Sequence, residues 1–415
     1  MRINPFKPGS PVPVGMFAGR LNELDKLEQG FAQTRAGQPI NFLVTGDRGI
    51  GKSSLLWFET AVARGLVGSG DFGYFKFCVA STQISEKTDL VTFLKILQRE
   101  IAREVGKTEV VRKFLSETWE FLQRVKIMDS SIDRAQKDSE EELVISDFCH
   151  SLAETVARIT QPGQGEDRRE GLVIVIDEAD NASADLRLGY LLKTITEALL
   201  RASCNHVCFI VAGLPDTFEK LRQSHGSSVR IFDPLPIREL GIKDRRRVVE
   251  LGMAEANKLN VAGKITIAED AKEQIALLSE GYPHFIQQFA FSAFNAAKGA
   301  QITLDDVNSS AYSPGGAIET IGLKYYQSDF YDKIKSDEYR QVLKIMAARG
   351  NDWIKKSEIR SEFEGTEGRL SNAIQALTSR RIIQKHSAKD GVYRLQQRGF
   401  ALWIQYFGDP KSGDG

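Results

Sequence analysis

Apolar positions recur along the chain with two periods, and the switch between them marks out the elements. Leu21, Leu24, Leu27 and Phe31 lie three and four residues apart, which predicts an amphipathic helix over 17–37. Residues 40–45 (INFLVT) are short, apolar and β-rich and run into glycine, so they predict a strand; helical spacing returns over 52–66. YFKFCV, residues 74–79, predicts a second strand. From about 88 to 160, leucine and isoleucine return at helical spacing with almost no glycine or proline. Several helices are expected there, broken near Asp129–Ser131 and by the acidic run Asp138–Glu142. Gly163 and Gly165 mark a loop.

LVIVI, residues 172–176, is uninterrupted and apolar, as expected of a strand covered on both faces of a parallel sheet. A helix at about 185–202, a strand at 206–212 (HVCFIVA) and a short strand or turn at 229–237 follow. Strands alternating with helices imply an α/β domain. From about 240 to 310 the pattern is helical only. Helices are predicted again at 337–348, 355–362 and 367–380, then two β-like runs, IIQKH and GVYRLQ, joined by SAKDG with Asp390-Gly391 as the hairpin turn. Three helices and a hairpin form the winged variant of helix-turn-helix. The resulting organisation is an extended arm (1–16), an α/β core (17–239) with a helical stretch at about 88–160, a helical segment (240–330), a winged helix (331–407) and a flexible tail (408–415). The arm, rich in proline and glycine, is expected to pack on the next domain or stay mobile.

Composition narrows the class. The 415 residues are 42% apolar and 27% charged, and 55 basic residues balance 55 acidic ones, which excludes a disordered chain and a nucleic-acid coat protein. Cys78, Cys149, Cys204 and Cys208 are too few for a disulfide scaffold. MRINPFKPGSPVPVG lacks the apolar core of a signal peptide, and no run of about 18 apolar residues is present. The expectation is a reduced, soluble, cytoplasmic protein without a membrane partner.

The strongest chemical signal is GDRGIGKSS. Gly46, Asp47, Arg48, Gly49, Ile50, Gly51, Lys52 and Ser53 match the GxxxxGK[ST] phosphate loop, with Ser54 following. Glycines let backbone N–H groups curl around phosphate oxygens, and the next helix aims its positive end at the same anion. Lys52 is expected to reach the β- and γ-phosphates, and Ser53 to offer its hydroxyl to Mg²⁺. A strand enters and a helix leaves, so a chance glycine turn is disfavoured. LVIVIDEAD ends a buried strand in Asp177-Glu178: Asp177 is expected to hold Mg²⁺, and Glu178 to orient or deprotonate the attacking water. The plainer alternative is an acidic helix cap. ATP is favoured over GTP, because the nearest guanine-type element, Asn257-Lys258-Leu259-Asn260, ends in Asn and lies in the all-helical region.

FAGRLNEL (17–24), GDRGIGKSS, LVIVIDEAD and GYPHF (281–285) together resemble the AAA+/STAND group of P-loop ATPases. Within it the chain resembles the initiator-like branch that ends in a winged helix, which includes origin-recognition, archaeal-type and transposition-regulator ATPases. The resemblance covers roughly 15–405; residues 88–160 fit poorly and read as an insertion. It implies a P-loop NTPase parallel sheet with helices on both faces, then an all-α lid and a winged-helix domain. It also implies that Phe17 and Arg20 help enclose adenine, or form a plain helix-start turn. Gly213 stands where relatives often carry a polar sensor residue, a departure that Asp216 or Thr217 would have to make good. SSVRIFDPLP resembles the segment that supplies an arginine finger to a neighbouring subunit, with Arg230 as candidate; the alternative is a surface arginine. Pro283 and His284 occupy the sensor-2 element of the lid, where relatives often carry arginine after the proline. His284 either donates to phosphate, neutral or protonated, or packs.

Cys204, His206 and Cys208 alternate on one strand, but they lack a fourth ligand, and buried small apolar cysteines are the favoured reading. Residues 335–407 hold 14 basic and 8 acidic residues, net +6, and the tail is −1, so residues 1–334 sum to −5. In the expected recognition helix Arg369, Ser371, Asn372, Gln375, Ser379 and Arg380 are polar, while Leu370, Ile374 and Leu377 form a core stripe. Lys385, Lys389 and Arg394 fall in or near the wing. These residues fit phosphates or base edges, although winged helices also pack on proteins. The leading expectation is an ATP-hydrolysing switch whose nucleotide state controls self-assembly and engagement of double-stranded DNA or a protein partner. The alternative is a slow regulatory scaffold or a defence or signalling sensor that binds proteins. A small-molecule kinase is weaker, since the lid lacks an arginine-rich clamp.

Overall fold

The structure is a computed structural model; it describes residues 2–408 except 107–108, 125–133, 164–166, 262, 328–329, 332–333, 335, 351, 381 and 387. The expected break at Asp129–Ser131, the glycine at 165 and the tail from 409 lie outside the described residues. The chain divides into two compact units, residues 20–238 and residues 1–19 with 239–415.

The first unit begins with α1 (Leu21–Arg35), β1 (Asn41–Thr45), α2 (Lys52–Ala63) and β2 (Cys78–Gln83). Helices α3 (Leu90–Val105), α4 (Glu109–Thr118), α5 (Glu120–Arg124) and α6 (Arg134–Thr160) come next. It closes with β3 (Leu172–Asp177), α7 (Leu188–Arg201), β4 (Val207–Gly213), α8 (Thr217–Ser224) and β5 (Phe232–Pro236). The five strands form one parallel sheet in the order β2-β3-β4-β1-β5. Alternating residues of its strands face opposite ways. Leu172, Ile174, Ile176, Phe209 and Val211 join one buried core with α3–α7, in which Trp119 donates to Thr155 Oγ1 at 3.0 Å and packs edge-on to Phe148. On the other face Phe42 lies against Gly30 of α1, where a Cβ would stand 2.3 Å from the ring. Residues 88–160 therefore share the sheet's core rather than forming a separate body.

Two expectations need correction here. The strand expected at 74–79 starts at Cys78, where pairing with Leu172 begins; Phe75 and Phe77 are instead buried against Phe31 as a loop cluster. The acidic run Asp138–Glu142 does not break a helix, because α6 runs through it; glutamate and lysine are good helix formers. The short strand or turn expected at 229–237 is both, a 3-10 turn over Ser228–Ile231 and then a strand over Phe232–Pro236.

The second unit contains α9 (Ile242–Leu259), β6 (Thr266–Ile267), α10 (Glu269–Leu278), α11 (Pro283–Ala296), β7 (Gln301–Ile302), α12 (Leu304–Tyr312) and α13 (Ala317–Tyr325). The region expected to be helical only thus carries a small parallel pair, β6 with β7. Then come α14 (Asp337–Ala348), β8 (Ile354–Lys355), α15 (Lys356–Glu362), α16 (Glu367–Ser379), β9 (Ile383–Lys385), β10 (Val392–Leu395) and α17 (Arg398–Phe407). β8, β10 and β9 form an antiparallel sheet in that order. Leu370, Ile374 and Leu377 are buried, as the stripe on α16 requires. Sequence periodicity missed α17, whose Trp403 packs on Gly322 of α13: a Cβ there would stand 1.7 Å from the indole.

The arm does not follow the expectation of packing on the next domain in the sequence. Phe6 is buried against Phe294 of α11 and over Gly252 of α9. Asn4 donates to Phe291 O and Asn295 Oδ1, and Gln287 Oε1 accepts from Lys7 N. No described helix is long and apolar enough to cross a membrane.

Candidate functional site

β1 delivers the chain to Gly46 at the C-terminal edge of the sheet, and α2 leaves at Lys52. Gly49 and Gly51 have φ of 75° and 99°, which a side chain rarely tolerates, and a Cβ at Gly46 would stand 2.9 Å from Ile237 O. Lys52 Nζ donates to Gly46 O at 2.7 Å and to Asp47 O at 3.0 Å, so the ammonium is folded onto its own loop. Burial lowers its pKa below the usual value, while Asp177, Asp180 and Asp47 oppose that shift.

Asp177 ends β3, two strands from β1, and is almost fully buried. Its Oδ2 accepts from Ser53 Oγ at 2.8 Å, joining the start of α2 to the end of β3. Its Oδ1 accepts from Glu178 N at 2.8 Å. Glu178 adopts a left-handed backbone, φ 55°, and its carboxylate is exposed, with Asn181 Nδ2 3.5 Å from Oε2. Hard oxygens from a hydroxyl and a carboxylate, beside a lysine and a glycine-rich loop, suit Mg²⁺ with a phosphate chain. Among the described residues no group of three or more His, Cys, Asp and Glu side chains could hold a metal.

The family model described as "AAA ATPase domain" matches residues 16–210, which span this loop, Asp177 and Glu178. Residues 16–210 are an AAA ATPase domain. The Walker-type ATPase of Pyrococcus abyssi is similar at 15% identity and TM-score 0.53, over 94% of this chain and 96% of that one. The Aeropyrum pernix ORC2 protein, solved as ADPNP-ADP complexes, is similar at 14% identity and TM-score 0.53, over 93% of each chain. These likenesses bear on fold alone. No curated protein matches the chain in sequence.

Two residues of the AAA ATPase domain make contacts that their sequence reading did not include. Arg20, with φ 65°, is buried; its guanidinium donates to Ile50 O at 2.8 Å and to Arg238 O. It holds the phosphate loop's backbone rather than presenting itself to a base. At the end of β4, a Cβ on Gly213 would lie 2.2 Å from Thr217 Oγ1 and 3.0 Å from Asp180 Oδ1. Thr217 is fully buried and fills that volume, whereas Asp216 pairs at the surface with Lys220. Asp180, which sequence reasoning passed over, accepts from Leu214 N at 3.0 Å and ties the Asp177-Glu178 turn to β4. Its signal was the last letter of DEAD.

Arg230 is exposed on the 3-10 turn before β5, with no side-chain ion pair among the described residues. Phe232 pairs with Asn41 and Pro236 with Thr45, so Arg230 sits at the opposite end of the sheet from its own phosphate loop, roughly 16 Å away at 3.3 Å per residue. Phe17, Pro283 and His284 belong to the second unit. Pro283 opens α11, as expected. His284 is mostly buried, its Nε2 without a partner, its ring edge-on to Tyr325 at 4.9 Å. Burial, with Lys324 adding to it, pushes its pKa down to about 4, so the protonated form is excluded at neutral pH and the packing alternative gains. Cys204 and Cys208 are pushed up to about 11 and about 12 by burial, and Cys208 Sγ donates to Ile40 O, so no thiolate site forms there.

Proposed function

We propose that this chain is an ATP-hydrolysing molecular switch whose nucleotide state controls self-assembly and engagement of double-stranded DNA or a protein partner. The observation that carries it is the Ser53–Asp177 hydrogen bond beside Lys52. Gly46 to Ser54 cradle the phosphates through their backbone. Lys52 leaves its two loop carbonyls for phosphate oxygens when ATP arrives. Ser53 Oγ and Asp177 would hold Mg²⁺, which when bound would supply positive charge to the phosphate chain. Glu178, exposed and held out by its left-handed turn, takes the proton of the attacking water on a carboxylate oxygen. Phe17, Pro283 and a neutral His284 keep the nucleotide-contact roles that the resemblance implies. Arg230 acts in trans, since the sheet register removes it from its own loop, and this makes hydrolysis depend on assembly.

Residues 331–407 are read as a winged helix, the output module. Gln375, Asn372, Ser379, Arg380 and Lys389 are its candidate contacts. One observation favours the second reading, a scaffold or defence sensor that binds proteins. Arg369 pairs with Glu338 at 2.9 Å and Lys385 with Asp390 at 2.9 Å, so two expected phosphate contacts already hold acids.

Size-exclusion chromatography with light scattering, with and without ATP and duplex DNA, separates the readings. The switch predicts a larger species with ATP and salt-sensitive co-elution with DNA. A monomer unchanged by either ligand contradicts it.

A further inference from the structure

At the sheet edge opposite the phosphate loop, the first unit holds a cavity of about 610 Å³. It opens where β3 and β4 begin, and its size falls in the roughly 300–1,000 Å³ range of small-molecule sites. The last turns of α6 and residues 202–204 give it a wall of mainly small apolar side chains. The lining also includes the cations Arg35, Lys76, Arg168 and Arg169, the His206 ring and, among the described lining residues, one carboxylate, Glu170.

Part of that positive charge has an ordinary explanation. α1, α6 and α7 all end at this edge, and helix C-termini carry about half a negative charge each. Their carbonyls have partners, however: Thr34 O meets His206 Nδ1 at 3.1 Å, and Ile159 O accepts from Arg169 N at 2.8 Å. Arg35 pairs with Glu170 at 3.8 Å and lies over the Phe75 ring, and Arg169 pairs with Asp167 at 3.0 Å. Lys76 and Arg168 are exposed and make no ion pair among the described residues. Among the described residues that line the cavity, Arg35, Lys76, Arg168 and Arg169 outnumber the carboxylate of Glu170.

We propose that this cavity binds a small anion bearing two or more phosphate groups, gripped by Lys76 and Arg168 with Arg35 and Arg169 behind them, separately from the nucleotide at the phosphate loop. A guanidinium fork matches phosphate oxygens in pairs, and a lysine adds a mobile point charge. The apolar wall takes the uncharged body of the ligand. The inference is independent of the hydrolysis reading, since it uses none of the same residues.

Calorimetric titration of tripolyphosphate into Lys52→Ala protein tests it, because that substitution weakens the other phosphate site. One site is expected, weakening as salt rises from about 50 to 200 mM. Adding Lys76→Glu and Arg168→Glu is expected to weaken it at least about tenfold, as loss of charge-assisted bonds would. ADP titrated into the same Lys52→Ala protein distinguishes a nucleotide from an inorganic polyphosphate as the source. The same charge reversals in the otherwise unaltered chain must leave ATP binding intact, which shows the fold survives; if they do not, Lys76→Gln with Arg168→Gln is read in their place. Absence of tripolyphosphate binding by Lys52→Ala, or binding unchanged by removal of both cations, overturns the proposal.

Discussion

At the scale of single residues, the site is built from groups that burial would penalise unless they found partners. Lys52, Ser53 and Asp177 satisfy one another or the loop, and Lys52→Ala is expected to abolish ATP binding; calorimetry showing unchanged affinity would sink the phosphate-loop assignment. Glu59 on α2 is the counterexample. Its carboxylate is buried with neither oxygen hydrogen-bonded, and burial, with Glu28 adding to it, raises its pKa well above the usual 4.5. A raised carboxyl keeps its proton in the folded state, so folding loses stability as pH climbs above about 4.5. Glu59→Gln is therefore expected to melt higher than the unaltered chain at pH 8 and level with it near pH 4; equal melting curves at both pH values would show that Glu59 is solvated. The phosphate loop and Asp177-Glu178 were legible in the sequence because their chemistry lies in contiguous residues. The Arg20 grip on Ile50 O and the Asp180 tie to Leu214 were not, because each joins residues distant in the chain.

At the scale of elements, a carboxylate in the second unit caps the start of α17. Glu280, with φ 52°, is mostly buried, and its oxygens accept from Arg398 N and Gly399 N at the start of α17. Burial raises its pKa, while those N–H groups oppose the shift. It directly precedes the Gly281-Tyr282-Pro283 turn, and Tyr326 adds a bond from its hydroxyl to Gln397 Oε1 at 2.8 Å. Glu280→Ala is expected to cost about 1 kcal/mol, as loss of a helix cap does, visible as a lower melting temperature with Glu280→Gln in between. No change in melting would show that α17 docks without the cap. Strand and helix types were legible wherever the period was long and clean, as in β3 and α16. The start of β2 was not, because Phe75 and Phe77 alternate like strand residues while serving a cluster against Phe31. α17 was hidden because its apolar residues, Phe400, Ala401, Trp403 and Ile404, read as a run rather than a stripe until α13 supplies the surface they cover.

At the scale of the whole molecule, the zero net charge divides into −5 over residues 1–334 and +6 over residues 335–407, with the tail completing the balance. The arm adds a link composition did not reveal, since Phe6 and Asn4 fasten the N-terminus to α9 and α11. Arg230 carries the claim that assembly controls turnover. ATP hydrolysis per molecule is expected to rise with protein concentration, and Arg230→Ala to remove that rise while ATP affinity stays. Concentration-independent turnover in both proteins would place hydrolysis within one chain.

The claim on which the rest depends is that Asp177 and Glu178 make the loop a hydrolytic site. Steady-state ATP turnover of Glu178→Gln, measured beside its ATP affinity, tests it most directly. The account predicts unaltered affinity with turnover slowed by about 10²-fold or more, the usual loss when a general base is removed. Turnover equal to that of the unaltered chain would contradict it.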